Sequence, residues 1–248
     1  MPCYSFFNED FGEHALKTYE CMSNDTRIDA AIKKLVIING WQDYEKLIRG
    51  AVLIAGLLHD IGKGITYYQR GTLCRFRCHD FVGSTIMYFI TQSIKNLGLP
   101  NDVMVFIWKV LMGLPLLHHY LHRDWLTYKE CDEIEKIEKI QLSEDCTVAI
   151  REILDKVMDR ERDAMQLINA LNKSLANIGI ISKYDMVFTQ VLYNAFNDVP
   201  SSDKHGNYPD LKILSDTEFT KKYKWFFEVA TAVLNECDNK AAEGRSRC

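Results

Sequence analysis

The chain reads AVLIAGLLHDIGK from residue 51 to residue 63, and the prediction of its fold begins with this segment. Its first eight residues are apolar nearly all round, which predicts a buried central helix. Gly62 and Gly64 predict where that helix stops. A buried helix therefore ends by presenting an imidazole, a carboxylate and an ammonium, those of His59, Asp60 and Lys63.

Helical spacing of apolar residues recurs along the chain, over residues 44–58, 80–97, 101–114, 128–140, 143–172, 183–197 and 216–237. Residues 198–216 are rich in Asp, Pro, Ser and Gly and predict a loop. Few segments alternate apolar and polar residues as strands do. We therefore predict an all-α, compact helical fold, with one domain over residues 1–240 and a flexible tail over residues 241–248.

The amino-acid composition limits the classes of protein to which the chain can belong. The 248 residues are 47% hydrophobic, enough for a substantial core, and the net charge of −4 is not that of a typical nucleic-acid binder. The start of the chain lacks the pattern of a signal peptide, and no apolar run is long enough to span a bilayer, so we expect a cytoplasmic protein with no membrane contact. The eight cysteines are scattered, and we expect mostly reduced thiols.

Histidine and aspartate are good ligands for divalent metals, and adjacent His59 and Asp60 at a helix end are the strongest such pair in the sequence. Lys63 follows about one turn later and is placed to neutralise a phosphate oxygen. Further candidate ligands precede or follow the pair along the chain, namely His14, His79, His118 and His119.

His-Asp followed by Ile-Gly-Lys resembles the motif of the HD superfamily of metal-dependent phosphohydrolases, whose fold is helical. The resemblance implies an upstream histidine ligand, which His14 matches, and a late aspartate ligand. Asp198 is our choice for the late ligand, with Asp185 and Asp203 as alternatives. Many members have Ala before that aspartate, whereas this chain has Asn197.

The larger set of histidines resembles members that hold two metals, drawn from Mg, Mn, Ni, Co and Fe. The resemblance implies a first metal held by His14, His59, Asp60 and Asp198. It implies a second held by Asp60, His79, His118 and His119, with Asp60 shared. Two metals can clamp the attacking and leaving oxygens of an in-line displacement, which suits phosphodiester hydrolysis.

Two groups share the larger pattern. The HD-GYP cyclic-dinucleotide phosphodiesterases require motifs that residues 120–125, YLHRDW, do not supply. The stand-alone HD nuclease of type I CRISPR interference is more similar, since residues 76–84, FRCHDFVGS, resemble its third motif and residues 198–203, DVPSSD, its last. That resemblance implies single-stranded DNA as substrate, and a separate helicase subunit and a CRISPR surveillance complex as partners.

The segment between Asp60 and Asp80 contains no acidic residue. It carries four cations interleaved with aromatic residues, and this mixture is typical of contacts to phosphates and unpaired bases. We therefore predict substrate contacts from Lys63, Arg70, Arg75 and Arg77.

Three functions follow from these observations. A metal-dependent nuclease acting on single-stranded DNA, with RNA still open, is the favoured one. An HD-type nucleotide or cyclic-dinucleotide phosphohydrolase would use the same metals, and a non-catalytic nucleotide-binding HD module would keep only the fold. An open basic groove would favour the nuclease, and a closed pocket would favour a nucleotide substrate.

Overall fold

The computed structural model describes residues 3–6, 9–70, 76, 78–118, 136–182 and 218–243, with the side chains of 218–220 left aside. These residues are predominantly helical, which confirms the all-α prediction. The α-helices are α1 (Phe11–Ser23), α2 (Thr26–Asn39), α3 (Glu45–Leu57), α4 (Thr66–Gln69), α5 (His79–Ile90), α6 (Asn101–Leu117), α7 (Glu144–Met158), α8 (Met165–Ala176) and α9 (Glu218–Ala241).

Short 3-10 segments connect several helices, at Gln42–Tyr44, Ile61–Gly64, Thr91–Asn96 and Arg162–Ala164. The described strands are short and form two antiparallel pairs. β1 (Tyr4–Phe6) pairs with β2 (Glu9–Asp10), and β3 (Lys139–Ile140) pairs with β4 (Ile181–Ser182).

The central position predicted for the apolar helix is confirmed. In α3 every residue from Gly50 to Leu57 is buried. The helix packs against α1, α2 and α6, so neighbours cover it on several sides. An all-round apolar helix is stable only in such surroundings, because an exposed face would leave apolar area in water.

Several predicted element boundaries were wrong. The helix over 80–97 is α-helical only to Ile90 and continues as a 3-10 segment. Residues 143–172 form α7 and α8, which pack against each other and so require a turn between them. Residues 139–140, predicted as helix, form β3 because their backbone pairs with β4. The predicted helix over 183–197 and loop over 198–216 lie outside the described residues.

The last helix extends four residues beyond its predicted end at Cys237. α9 continues to Ala241, which is buried. This helix packs against α1, α2 and α6. This extension places Asp238, whose side chain is 16% exposed, against His14 of α1. Among the helices that the structure describes, none combines the length and the apolar character needed to cross a bilayer.

The expectation of reduced thiols was wrong. Cys3 is joined to Cys146, and Cys21 is joined to Cys237. Cys78 is also disulfide-bonded, and no described cysteine is a free thiol. Each of the two pairs links residues far apart in the sequence, which is why spacing along the chain did not indicate them.

Gly62 permits the close approach of the segment after α3 to the start of α5. A Cβ atom at this position would overlap the carbonyl oxygen of His79 and lie 2.6 Å from the backbone nitrogen of Gly83. Only a residue without a side chain fits between these backbones. The contact places Asp60 beside His79.

Candidate metal centre

The polar residues of the centre come from the ends of helices and from helices α1 and α9. His59 and Asp60 follow α3 directly, as the sequence predicts. His14 projects from the first turn of α1, whose start is capped by the Asp10 carboxylate accepting from the backbone N–H of Glu13 at 2.9 Å. Asp238 comes from the last turn of α9.

These four residues form the first potential ligand group, with ligand atoms all within 4.8 Å of one another. Nε2 of His14 lies 3.0 Å from Oδ1 of Asp238 and 3.4 Å from Oδ2 of Asp60. Nε2 of His59 lies 3.5 Å from each of the same two oxygens. Two imidazole nitrogens and two carboxylates therefore point at a common position.

Asp60, His79 and His118 form the second potential ligand group. Nε2 of His79 lies 3.0 Å from Oδ1 of Asp60, and Nε2 of His118 lies 3.7 Å from the same oxygen. The two Nε2 atoms are 3.2 Å apart. His79 begins α5 and His118 caps the end of α6, so this group assembles where two packed helices meet.

Asp60 belongs to both groups through different atoms. Its Oδ2 faces His14 and His59, and its Oδ1 faces His79 and His118. The carboxylate is 1% exposed. A carboxylate placed in this way is able to bridge two cations.

The histidine tautomers fit a cation in the second group. Nδ1 of His79 donates to the carbonyl oxygen of Phe76 at 2.5 Å, and Nδ1 of His118 donates to that of Pro115 at 2.6 Å. A carbonyl only accepts, so in the neutral rings both Nε2 atoms carry lone pairs. Two lone pairs 3.2 Å apart repel each other unless a proton or a metal ion lies between them.

Unsatisfied atoms fit a cation in both groups. Nε2 of His59, in the first group, and Oδ1 of Asp60, in the second, are buried and make no hydrogen bond within the described part of the chain. Leaving such atoms unsatisfied destabilises a protein, by about 1–3 kcal/mol each. Nitrogen and oxygen donors in this mixture suit borderline divalent ions such as Mn, Fe, Co, Ni or Zn.

Attraction between the imidazoles, the ammonium and the carboxylates of the centre controls which of these side chains are ionised. Burial alone would lower the pKa of His14, but hydrogen bonds with Asp238, Asp60 and Glu9 raise it to about 10. Burial alone would raise the pKa of Asp60, but the charges of His59 and Lys63 hold it well below its ordinary value. Burial opposes ionisation of Asp238 too, and the neighbouring imidazoles of His14 and His59 hold its pKa well below the ordinary value. Without a metal, the two carboxylates are therefore ionised and the His14 imidazole is protonated at neutral pH.

Lys63 lies within the centre rather than at its rim. Its ammonium donates to Oδ2 of Asp60 at 2.5 Å, and its side chain is 8% exposed. The same ammonium is 5.7 Å from the centroid of the Phe76 ring. A cation entering the first group would compete with this ammonium for the same oxygen. The predicted contact of Lys63 with a substrate phosphate stays a prediction.

The structure brings together five of the predicted ligands, namely His14, His59, Asp60, His79 and His118. The sixth and seventh, His119 and Asp198, lie outside the described residues, as do the alternatives Asp185 and Asp203. Arg75 and Arg77 also lie outside them. Their predicted roles stay predictions.

Arg70 is described and exposed. It lies in a groove of about 320 Å³ together with Thr66, Tyr67, Lys136, Ile137, Glu138, Lys139 and Gln141. Three of these residues are cationic and one is acidic, so the groove has a net positive charge. Arg70 directly follows the short helix α4, which begins two residues after the 3-10 segment that contains Lys63.

Sequence reasoning missed Asp238. Its position on α9 carried a usable signal, because it lies four residues after Leu234 and three before Ala241, both buried. A carboxylate on the apolar face of a helix is expensive to bury unless it is paired or binds a metal. The predicted end of the helix at Cys237 concealed this pattern.

The centre is assigned from the positions of its ligand atoms. Comparisons with protein-family models, with curated proteins and with solved structures find no match to this chain.

Proposed function

We propose that the protein is a divalent-metal-dependent phosphodiesterase that cleaves single-stranded nucleic acid, with DNA as the favoured substrate. One observation carries the proposal. The carboxylate of Asp60 directs its two oxygens at two separate groups of ligands, which is the arrangement needed to hold two cations side by side.

Two bound cations would supply charge neutralisation at a phosphate and a lowered pKa of water. The chain's own residues supply the rest. Hydrogen bonds from Nδ1 to backbone carbonyls hold the rings of His59, His79 and His118 in place. The buried ammonium of Lys63 adds positive charge beside Asp60, and we assign it to a phosphate oxygen of the substrate.

The groove that contains Arg70 supports a polymeric substrate. Lys136 and Lys139 add charge that a phosphate backbone would follow, and the exposed ring of Tyr67 offers a surface on which a base can stack. These features lie along one surface near the 3-10 segment of Lys63, so a strand held there would extend beyond a single nucleotide.

A nucleotide or cyclic-dinucleotide phosphohydrolase is the second candidate, and burial of the centre favours it. His59 and His118 are 0% exposed. A small substrate is more easily enclosed at such depth than a polymer is. The same cations would serve either reaction.

The biological setting is proposed from the motif resemblance alone. A stand-alone HD nuclease of type I CRISPR interference would act with a helicase subunit and a surveillance complex. The helicase would supply the single strand that the groove is proposed to hold.

The decisive experiment uses metal-stripped protein with Mg²⁺, Mn²⁺, Ni²⁺ or Co²⁺ added separately. The substrates are circular single-stranded DNA, circular RNA, and a panel of nucleotides and cyclic dinucleotides. Asp60→Asn is compared with Asp43→Asn, which changes an exposed aspartate. We expect metal-dependent cleavage of the circular DNA by the wild type and by Asp43→Asn, and none by Asp60→Asn.

Two results would overturn the assignment. Hydrolysis of nucleotides with circular DNA left intact would establish the second candidate. Equal cleavage rates for Asp60→Asn and the wild type would show that the reaction occurs elsewhere on the protein.

A further inference from the structure

The described histidines of the centre are oriented in two different ways. Nδ1 of His59 donates to the carbonyl oxygen of Gly56 at 2.8 Å, three residues earlier. His79 and His118 likewise donate to carbonyls three residues earlier. His14 differs, because its Nδ1 faces a carboxylate oxygen, Oε1 of Glu9, at 3.2 Å.

The position of each histidine in its helix explains the difference. His59 and His118 lie just past the ends of α3 and α6, and His79 lies at the first residue of α5. The carbonyls of Gly56 and Pro115 lie in the last turns of their helices, where the helical ladder stops, and Phe76 precedes α5. His14 is the fourth residue of α1, where the preceding carbonyls point along the helix into its own ladder. A group from outside the helix must therefore orient its ring.

The Glu9 side chain is held where it can orient the His14 ring. It belongs to β2, and its second oxygen, Oε2, accepts a hydrogen bond from the Ser5 hydroxyl of β1 at 2.5 Å. In the antiparallel pairing of β1 with β2, Glu9 is the partner of Phe6, and Ser5 precedes Phe6 at a shift in the register. The Phe11 N–H donates to the Cys3 carbonyl at 2.9 Å, which ties the hairpin to the start of α1. The Glu9 side chain is 15% exposed.

We propose that Glu9 is a positioning residue for His14 in the first metal site. Its carboxylate accepts the Nδ1 proton, which keeps that proton on Nδ1 and turns Nε2 towards Asp60 and Asp238. A carboxylate in this role also makes the imidazole a stronger metal ligand than a carbonyl does. The inference rests on the proposed function, since it assumes that His14 binds a metal.

The test measures Mn²⁺ binding to metal-stripped full-length protein by electron paramagnetic resonance, together with the ring ¹⁵N chemical shifts of His14. The variants are Glu9→Ala, Glu9→Gln and Ser5→Ala. Glu13→Gln is the matched control, because it removes an exposed carboxylate that pairs with Lys17 on the outside of the same helix.

We expect Glu9→Ala to weaken binding at the first site by roughly 10–100-fold. Glu9→Gln retains an oxygen that accepts the Nδ1 proton but lacks the charge, so it restores the ring tautomer and only part of the affinity. Ser5→Ala should also weaken binding at the first site, but by less than Glu9→Ala does. Glu13→Gln, and binding at the group of Asp60, His79 and His118, remain close to the wild type.

The outcomes separate this inference from the proposed function. If the wild type binds two ions and Glu9→Ala matches it in affinity and in His14 ¹⁵N shifts, the role of Glu9 is wrong and the metal centre stands. If the wild type binds no Mn²⁺, both fail. If Glu9→Ala does not fold, Glu9→Gln decides, because unchanged affinity in that variant would exclude any contribution from the Glu9 charge.

Discussion

At the scale of the residue, Asp60 and His14 define the centre. Asp60 serves both ligand groups, and His14 joins the N-terminal hairpin to the helix that carries Asp238. In the absence of metal, these contacts form a buried network of charges. Buried charges are stable only when paired, so loss of one partner has large effects.

The raised pKa of His14 predicts a pH dependence for the metal-free protein. Its folded-state pKa of about 10 exceeds the ordinary value of 6.5. The stabilisation is therefore fully present below pH 6.5 and is lost as the pH rises towards 10. We expect the free energy of unfolding in urea to fall between pH 7 and pH 10. His14→Gln should show a shallower fall, and parallel curves for the two proteins would contradict the prediction.

At the scale of the element, backbone approach and cross-links arrange the ligands. Gly62 lets the segment after α3 lie against α5, and the Cys21–Cys237 disulfide ties α9 to α1 directly beside Asp238. Neither feature touches the proposed metals. Both determine whether the ligand atoms meet.

Gly62→Ala tests the backbone approach. The added methyl group would push Asp60 away from His79, because the overlapping atom is a backbone carbonyl that cannot rotate aside. We expect the second metal to be lost and cleavage to fall to background, measured by metal content and by the circular-DNA assay. Gly179→Ala is the control, since a Cβ there meets nothing within 4 Å. Two bound metals in Gly62→Ala would refute this account.

Removal of the Cys21–Cys237 bond tests the cross-link. The double variant Cys21→Ser, Cys237→Ser should lose about 2–5 kcal/mol of unfolding free energy. It should also bind metal more weakly at the site that contains Asp238, because the bond holds the neighbouring residue Cys237 against α1. Glu236→Gln, an exposed change on the same helix, serves as control. Unchanged Mn²⁺ affinity in the double variant would show that packing alone holds Asp238.

At the scale of the whole molecule, both ends of the described chain converge on α1. The N-terminal hairpin supplies Glu9 and α9 supplies Asp238, and a disulfide holds each segment. These two covalent links therefore hold both of the segments that supply Glu9 and Asp238 against the rest of the fold.

Metal binding should stabilise the entire fold, because the ligands come from α1, α5, α6, α9 and the segment after α3. A metal present at about 100 times its Kd adds about 2.7 kcal/mol to the free energy of unfolding. For a chain of this size, that raises the Tm by roughly 5–10 °C. Calorimetry with and without Mn²⁺ measures this rise in Tm. An equal rise in Asp60→Asn would place the stabilising ion elsewhere.

Much of the fold and the adjacent ligands His59 and Asp60 were predictable because they depend on local patterns. The all-round apolar run before His59 predicts a buried helix, although that helix ends at Leu57, earlier than the glycines predict. His59 and Asp60 come at the end of that helix in the sequence, so their placement could be predicted without knowing any contact between distant segments. The strand pairing of residues 139–140 was not predictable in this way, because its partner β4 lies far along the chain.

Local sequence patterns were enough to predict the helical class and the polar pair at the end of the central helix, since both follow from the 3.6-residue period of the apolar residues. The folded arrangement was needed to show that Asp238 faces His14, that the Glu9 carboxylate faces the His14 ring, and which cysteines pair. These contacts join segments distant in sequence, and eight cysteines alone allow on the order of a hundred complete pairings. Packing of α1 against α9 brings Cys21 beside Cys237 and His14 beside Asp238.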